Sequence, residues 1–406
     1  MRNTQAVKAF IDKWRNLSVP TREILYDYMP ICKNLLYEDE ETIVNTIKIL
    51  RKNVSMWAAT HCAIYQQKQP MPYFTKADLD DKANWYVRFM EKETQPMTSS
   101  GSTTGYNFAY LRWEPFLYFI ECENHYDMIM DENRICENPN ILYMFNALQG
   151  RGTKMIQTSN ESKNFMEHHG KKRKATVHYA NPKVLKENSR LFFSYLFRQL
   201  KETHIDVMLA PGSSVRAMCA SIKSEGFKGK VCDLLSNTNE YLLPEDRKFL
   251  IENKHVGSIC DHMRCWDGGA SFFECKYGTI HLMDNLAWCV EKEKRLVSTD
   301  YFSLPSPFVN FWNGDRCEIE NKYQKCKCGR MFRPFKFLEN RPFAVKGNSI
   351  KEYREKMVAL GISDIRQIRC DINFFVISST RRLSDSEKLE IRKIFAGHEV
   401  RFLVEQ

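Results

Sequence analysis

Four consecutive segments between residues 190 and 260 alternate in periodicity, and this alternation restricts the fold more than any other feature of the chain. RLFFSYLFRQLKETH, from Arg190, repeats apolar residues at helical spacing, and IDVMLA, from Ile205, is an apolar run of strand length. SSVRAMCASIKSEG then returns to helical spacing, and KGKVCDLLS, from Lys228, closes with a second apolar strand. Strand, helix and strand in this order form an α/β rhythm, in which apolar strands line up in one sheet and helices cover it.

The flanks predict further units. Residues 1 to about 95 read as helices, since VKAFIDKWRNL and ETIVNTIKILRKNVSMWAATHCAIYQ place apolar residues three and four apart, with Pro20 and Pro70 to Pro72 as punctuation. A polar stretch from Thr98 to Gly105 follows, then an aromatic segment from near Tyr110 that reads as helical. SFFECKY, TIHLMD and FVNFW, between residues 271 and 312, predict a sheet or small barrel appended to the α/β core. From about 341 the order is strand, helix (SIKEYREKMVALG), strand (DINFFVISST), helix (DSEKLEIRKIFAG), strand (EVRFLVE). The expected fold class is α/β: a large domain over 1–339, whose first 95 residues are helical and whose α/β sandwich carries a barrel-like region, and a small C-terminal α/β domain over 340–406.

Composition narrows the setting. No apolar stretch approaches the roughly 20 residues that span a bilayer, so no membrane partner is expected. The opening MRNTQAVKAFIDKWRNL lacks the apolar core of a secretory signal, and the 14 cysteines are spread along the chain, which together suggest a reducing, cytoplasmic compartment. A net charge of +10 attracts phosphate-bearing partners. The densest basic run, Lys171 to Lys174, reads as a solvated loop, and His61, His125, His168 and His169 have no partner at a recognisable spacing.

MTSSGSTTGYNF gathers two glycines and six hydroxyl residues between Thr98 and Gly105. Glycine lets backbone approach an anion closely, and hydroxyls with free amide N–H groups can surround phosphate oxygens. No Gly-Lys-Ser/Thr follows, so this is not a Walker loop. The segment resembles the phosphate loop of adenylate-forming enzymes, in the branch of phenylacetate-CoA ligase, coenzyme F390 synthetase and acyl-protein synthetase. Ser100, Gly101, Ser102, Thr103 and Gly105 match, with Thr104 additional or substituted.

The resemblance continues in order. IDVMLAPGSSVRAMCASIKSEG and VCDLLSNTNEYLLPEDRKFLIE are similar to two strand and helix steps of the family. ICDHMRCWDGG takes the place of a YGxTE-G motif: Asp267 replaces the glutamate that faces Mg-ATP, Met263 falls where an adenine-packing ring belongs, and Trp266 offers another ring. FVNFWNGDRCEIE resembles the segment whose aspartate binds ribose, which points to Asp315, and FLENRPFAVKG resembles the hinge between domains, which implies that Arg341 contacts nucleotide. Many relatives neutralise charge in the first step with a lysine near the C-terminus. No lysine follows Lys393 here, so Lys346 is the expected substitute.

A metal site can be read from the residues. ECKYGTIHL supplies Cys275 and His281 and CKCGR supplies Cys326 and Cys328, a Cys3His set suited to structural zinc. Relatives in the same branch carry similar elements. Cys260, His262 and Cys265 form a competing set, less favoured because Cys265 sits inside the nucleotide motif. Reduced core cysteines are the alternative to both, and Cys370 reads as a strand cysteine rather than an acyl carrier.

The resemblance implies ATP, Mg²⁺ and structural Zn²⁺ as cofactors, a carboxylic acid as substrate, and acyl or aryl transfer to an acceptor. CoA, a carrier protein, an amine or a nucleic acid or nucleotide all remain open as acceptor. The alternative is a catalytically altered descendant that binds nucleotide or nucleic acid.

Overall fold

The computed structural model describes residues 4–67, 73–74, 87, 94–98, 109–113, 127–136, 139–144, 176–179, 189–238, 242–264, 268–339, 350–362, 365–370, 374–379, 381–395 and 399–404.

The chain begins with helices α1 (Thr4–Trp14), α2 (Glu23–Tyr28), α3 (Cys32–Leu35), α4 (Glu40–His61) and α5 (Ala63–Gln67). The Asp39 carboxylate caps α4 by accepting the Thr42 N–H at 2.8 Å, and Glu40 and Glu41 in the first turn suit the helix dipole. Ile43, Ile47, Leu50, Val54 and Trp57 form the buried stripe of α4. The long helix expected over 41–66 is broken at Cys62, whose extended backbone separates α4 from α5. Three buried donors fasten these helices to the second half of the chain. Tyr28 Oη donates to the Asn285 carbonyl at 2.7 Å, Trp57 Nε1 to Leu304 at 3.0 Å, and Tyr65 Oη to Pro307 at 2.6 Å.

Strands β1 (Thr94–Thr98) and β2 (Ala109–Trp113) form an antiparallel pair, from Thr94 opposite Trp113 to Thr98 opposite Ala109. The helix expected from Tyr110 is therefore a strand at its start. A-Y-L-R-W satisfies an alternating pattern as well as a helical one, and strand pairing decides between them.

Helix α6 (Asp127–Glu132) leads into the main sheet, built from β3 (Asn140–Tyr143), β4 (Thr176–Tyr179), β5 (Val207–Ala210), β6 (Cys232–Thr238), β7 (Val256–Arg264), β8 (Ser271–Glu274) and β9 (Ile280–Leu282). Their order is β4-β3-β5-β6-β7-β8-β9, parallel from β4 to β7 and antiparallel beyond. Helices α7 (Ser189–Gln199), α8 (Gly212–Glu225) and α9 (Pro244–Glu252) connect the parallel strands. Phe193, Phe197, Met208, Met218, Leu235 and Leu250 close one core between helices and sheet.

A second, antiparallel sheet follows, ordered β10 (Ala287–Lys292), β11 (Arg295–Asp300), β12 (Phe311–Ile319) and β15 (Phe335–Glu339), with the hairpin β13 (Gln324–Lys325) and β14 (Met331–Phe332) inserted before β15. Phe272 and Leu282 of the main sheet share a core with Leu296, Cys317 and Phe335 of the second, so the two sheets pack together. Of the three runs expected to form an appended sheet, SFFECKY and TIHLMD instead supply β8 and β9, which extend the main sheet antiparallel, and only FVNFW enters the second sheet, at the start of β12.

The tail contains α10 (Ile350–Ala359), β16 (Ile365–Cys370), β17 (Phe374–Ser379), α11 (Asp385–Ile394) and β18 (Glu399–Val404), with β17 central, antiparallel to β16 and parallel to β18. Tyr353, Met357, Ile377, Ile391 and Phe395 form its core. The strand expected at about 341 lies outside the described residues, while β16 was not anticipated: IRQIRC carries too many charges to read as a strand. No described helix is long and apolar enough to cross a membrane.

Candidate metal centre and adjoining nucleotide motifs

The sulfur atoms of Cys275, Cys326 and Cys328 and a ring nitrogen of His281 lie within 4.8 Å of one another. They come from two places far apart in sequence that fold in the same local way. Cys275, just after β8, heads a turn closed by Gly278, whose N–H donates to the Cys275 carbonyl at 2.8 Å; Cys326, after β13, heads a turn closed by Gly329 at 2.9 Å. Both glycines have positive φ, 74° and 90°, a conformation that side chains with a Cβ resist. His281 sits on β9, and Cys328 lies inside the second turn, its N–H donating to the Cys326 sulfur at 3.5 Å.

The spacing fits a tetrahedral ion. Metal bonds of about 2.3 Å to sulfur and about 2.0 Å to nitrogen give edges of about 3.8 Å between sulfurs and about 3.5 Å between sulfur and nitrogen. The Cys275 to Cys326 distance is 3.8 Å, and the Cys328 to His281 Nε2 distance is 3.5 Å. Cys275, His281 and Cys326 are buried and Cys328 partly so. The His281 ring is held between Phe273 and Phe332, with centroids 5.2 and 5.0 Å away. The hydrogen bond between Cys275 and Cys328 lowers the Cys275 thiol and raises that of Cys328, so the two thiols behave as a pair that shares a proton.

The competing set is otherwise engaged. The Cys260 thiol donates to the Glu274 carbonyl at 3.1 Å, and His262 Nδ1 shares a 2.7 Å hydrogen bond with Ser236 Oγ. Burial raises the Cys260 thiol well above its usual range and pushes His262 down to about 3, so both stay neutral. Cys265 lies outside the described residues. A third group, His204, Asp206 and Asp233, stands where β5 and β6 begin. Its His204 Nε2 is 2.8 Å from Asp233 and 3.6 Å from Asp206, and Lys230 also pairs with Asp233, so it reads as a surface ion cluster.

Charged residues that the sequence did not single out tie the hairpin carrying Cys326 and Cys328 to its surroundings. Arg330 pairs with Glu132 of α6, and its guanidinium lies 5.1 Å from the Tyr37 ring centroid and 5.2 Å from that of Phe273. Arg333, with no exposed surface, binds the Asp284 carboxylate through Nε at 2.8 Å and through Nη2, and donates to the Cys289 carbonyl at 2.7 Å. Tyr323 Oη donates to the same carboxylate at 2.9 Å. No periodicity marks such pairs, because their partners lie 39 and 49 residues apart.

The nucleotide motifs are described in part. Ser100, Gly101, Ser102, Thr103, Thr104, Gly105, Trp266, Asp267, Arg341 and Lys346 lie outside the described residues. In sequence, the Ser/Gly run falls between the end of β1 at Thr98 and the start of β2 at Ala109. Gly268 and Gly269, directly after Asp267, have φ of 98° and 75° and sit against the second sheet. A Cβ on Gly268 would lie 2.6 Å from Phe311, and one on Gly269 2.4 Å from the Asp300 carboxylate, so only glycine fits this approach. Phe311 begins β12, and Asp315, four residues further along that strand, is buried with 3% exposure. The register of β12 slips between Trp312 and Arg316, so Asp315 sits at an irregularity of the strand, no further than about 14 Å from the point where the Gly268 turn touches β12.

No protein-family model matches the chain, and no curated protein matches it by sequence. Solved structures match its fold. A 2-hydroxyisobutyryl-CoA ligase in an open conformation, in complex with 2-HIB-AMP and CoA, aligns with TM-score 0.55 and 11% identity over 89% of each chain. The same ligase in the thioesterification state, again with 2-HIB-AMP and CoA, aligns with TM-score 0.56 and 11% identity over 92% of this chain and 88% of that one. In the postadenylation state, with R3-HIB-AMP, it aligns with TM-score 0.56 over 89% of this chain and 87% of that one, again at 11% identity. The mixed α/β fold of this chain thus resembles that of an adenylate-forming CoA ligase over about nine-tenths of its length.

Proposed function

We propose that the chain is an ATP-dependent ligase that activates a carboxylic acid as an acyl- or aryl-adenylate and passes it to a thiol, amine or hydroxyl acceptor, in the manner of the phenylacetate-CoA ligase branch. One observation supports the reading beyond fold likeness. The Gly268–Gly269 turn lies against β11 and β12, and Asp315 is on β12, which is consistent with Asp267, the residue before the turn, and Asp315 serving one site. The 2-hydroxyisobutyryl-CoA ligase, whose structures hold 2-HIB-AMP and CoA, supports the same class of chemistry.

In this reading the substrate carboxylate attacks the α-phosphorus of ATP and pyrophosphate leaves. The acceptor then attacks the activated carbonyl and AMP leaves. The protein contributes position and charge neutralisation more than covalent chemistry. Hydroxyls and amides from Ser100 to Gly105 hold phosphate oxygens, Asp267 positions Mg²⁺, and Lys346 balances charge in the first step. Trp266 packs by adenine, Arg341 contacts nucleotide, and Asp315 accepts hydrogen bonds from the ribose. Because Asp315 is buried, each such bond forms in a low dielectric, where it is stronger than in water.

Cys275, His281, Cys326 and Cys328 hold zinc. With four protein ligands no position would remain for water, so the ion would serve as a cross-link rather than a catalyst. It joins the β13–β14 hairpin to the β8–β9 corner, and so fixes where β15 begins on its way to the hinge segment.

Exchange of labelled pyrophosphate into ATP, measured over a panel of carboxylic acids, tests the proposal. The reading requires acid-dependent exchange with at least one acid. Nucleotide binding without exchange for any acid would instead indicate a descendant that has lost adenylation.

A further inference from the structure

A groove of about 490 Å³ opens on the C-terminal α/β unit, between α11, the residues after β17 and the edge strand β18. Four of its lining side chains are cationic, Arg382, Lys388, Arg392 and Arg401, and none of the described lining residues is acidic. Two of the four have carboxylates outside the lining: Lys388 binds Asp385 at 3.1 Å, and Arg401 binds Glu399 at 2.8 Å. Arg382 and Arg392 are exposed and ion-paired to no carboxylate among the described residues.

Like charges around one concavity repel one another, and an anion in that concavity is attracted by all of them. The rest of the lining suits an organic group rather than a bare ion. Leu383 and Val400 are buried and form an apolar floor, and the Arg392 guanidinium lies 5.3 Å from the Phe402 ring centroid, presenting a flat cationic and aromatic wall. The volume falls in the range of small-ligand sites, about 300–1,000 Å³, and matches a mononucleotide better than a polymer.

The local folding keeps this surface in place. Ser384 and Glu387 cap α11 reciprocally, and Arg381 is drawn away from the groove onto Glu387. Buried Ser379 donates from Oγ to the Arg381 carbonyl at 2.7 Å, which fixes the turn that presents Arg382.

We infer that this groove is a second anion site, which binds an organic phosphate of mononucleotide size, with its phosphates on Arg382, Arg392, Lys388 and Arg401 and its organic part on Leu383, Val400 and Phe402. The site stands on these residues alone and does not depend on the adenylation reading.

Hydrogen–deuterium exchange of the intact chain with ADP as probe tests it, with inorganic pyrophosphate and a ten-nucleotide single strand in parallel. ADP is expected to slow exchange in peptides covering 381–395 and 399–404, and more strongly than pyrophosphate does. Protection produced by the adenylation site falls in other peptides, so failure of one site is distinguishable from failure of the other. R382E/R392E should weaken ADP at this groove by about tenfold or more, the ratio that a charged hydrogen bond is worth. R382K/R392K should retain most of the binding, and exchange elsewhere in each variant reports whether the chain is folded. Absence of ADP protection at 381–404, protection that survives the double charge reversal, or protection by the oligonucleotide alone would each overturn the inference.

Discussion

Stripping the metal from the Cys275, His281, Cys326 and Cys328 centre should destabilise the chain by an amount that chain statistics set. Cys275 and Cys326 are 51 residues apart, and a metal joining them closes that loop in the unfolded chain as well as in the native one. Treated like a covalent cross-link, a loop of this length restricts the unfolded state by about 4 kcal/mol. A zinc ion that also leaves the unfolded chain stabilises by more, so about 4 kcal/mol is a lower figure for Cys326→Ser, which removes the ligand permanently. With an unfolding entropy of about 2.1 cal/mol/K per residue, a domain as large as the one expected over 1–339 shifts by about 1.4 °C per kcal/mol, so the melting temperature should fall by about 6 °C. Calorimetry with zinc content measured on the same samples is the assay. Wild type should contain about one zinc per chain, the variant none, and Cys136→Ser, at an exposed cysteine outside the centre, should keep both zinc and melting temperature. A Cys326→Ser chain that loses zinc and melts within about 2 °C of wild type would refute the cross-link reasoning.

Three further outcomes follow from other parts of the structure. Asp315→Ala should weaken ATP by about ten- to a hundredfold in equilibrium binding, the worth of hydrogen bonds to a buried charge; unchanged affinity would remove it from the site. Asp284→Ala strands the Arg333 guanidinium without its carboxylate and should cost about 3–5 kcal/mol in urea unfolding, whereas Asp284→Leu with Arg333→Met should cost far less. His262 is held neutral by burial, with its proton affinity pushed from 6.5 down to about 3. Its unfolded form binds a proton below pH 6.5 and its folded form does not, so this stability is present above 6.5 and is lost as pH falls toward 3. Between pH 7.5 and 5.5 that is about 1.4 kcal/mol, and His262→Asn should show a correspondingly flatter dependence in denaturant titrations.

What the sequence disclosed depended on how local the determinant was. IDVMLA and SSVRAMCASIKSEG carry their own periodicity, and they became β5 and α8 with small shifts at the ends. Strands β3 and β4 are four residues each, NILY and TVHY, too short to show a period, and their sheet positions depend on partners as far away as Val207. AYLRW fits two periods, and cross-strand pairing selected the strand. The Cys3His cluster was legible because cysteine and histidine at close spacing carry chemistry by themselves. The sequence favoured this set over the competing one, and the fold adds the physical reason: Cys260 and His262 are consumed by a carbonyl and a serine on neighbouring strands, while Cys275 and Cys326 meet from 51 residues apart. The Arg333, Asp284 and Tyr323 group had no sequence signal, since an arginine and an aspartate in a basic chain read as surface residues until both prove to be buried.

The most direct measurement of the central claim follows oxygen through the reaction. With the acid that supports fastest exchange, labelled with ¹⁸O in its carboxylate, and with any acceptor that turns over, mass spectrometry of the released nucleotide reads which phosphorus was attacked. Attack on the α-phosphorus followed by acyl transfer leaves one labelled oxygen on AMP, and this is the result expected here. Label in inorganic phosphate with release of ADP, or unlabelled AMP alongside a labelled product, would contradict an acyl-adenylate intermediate.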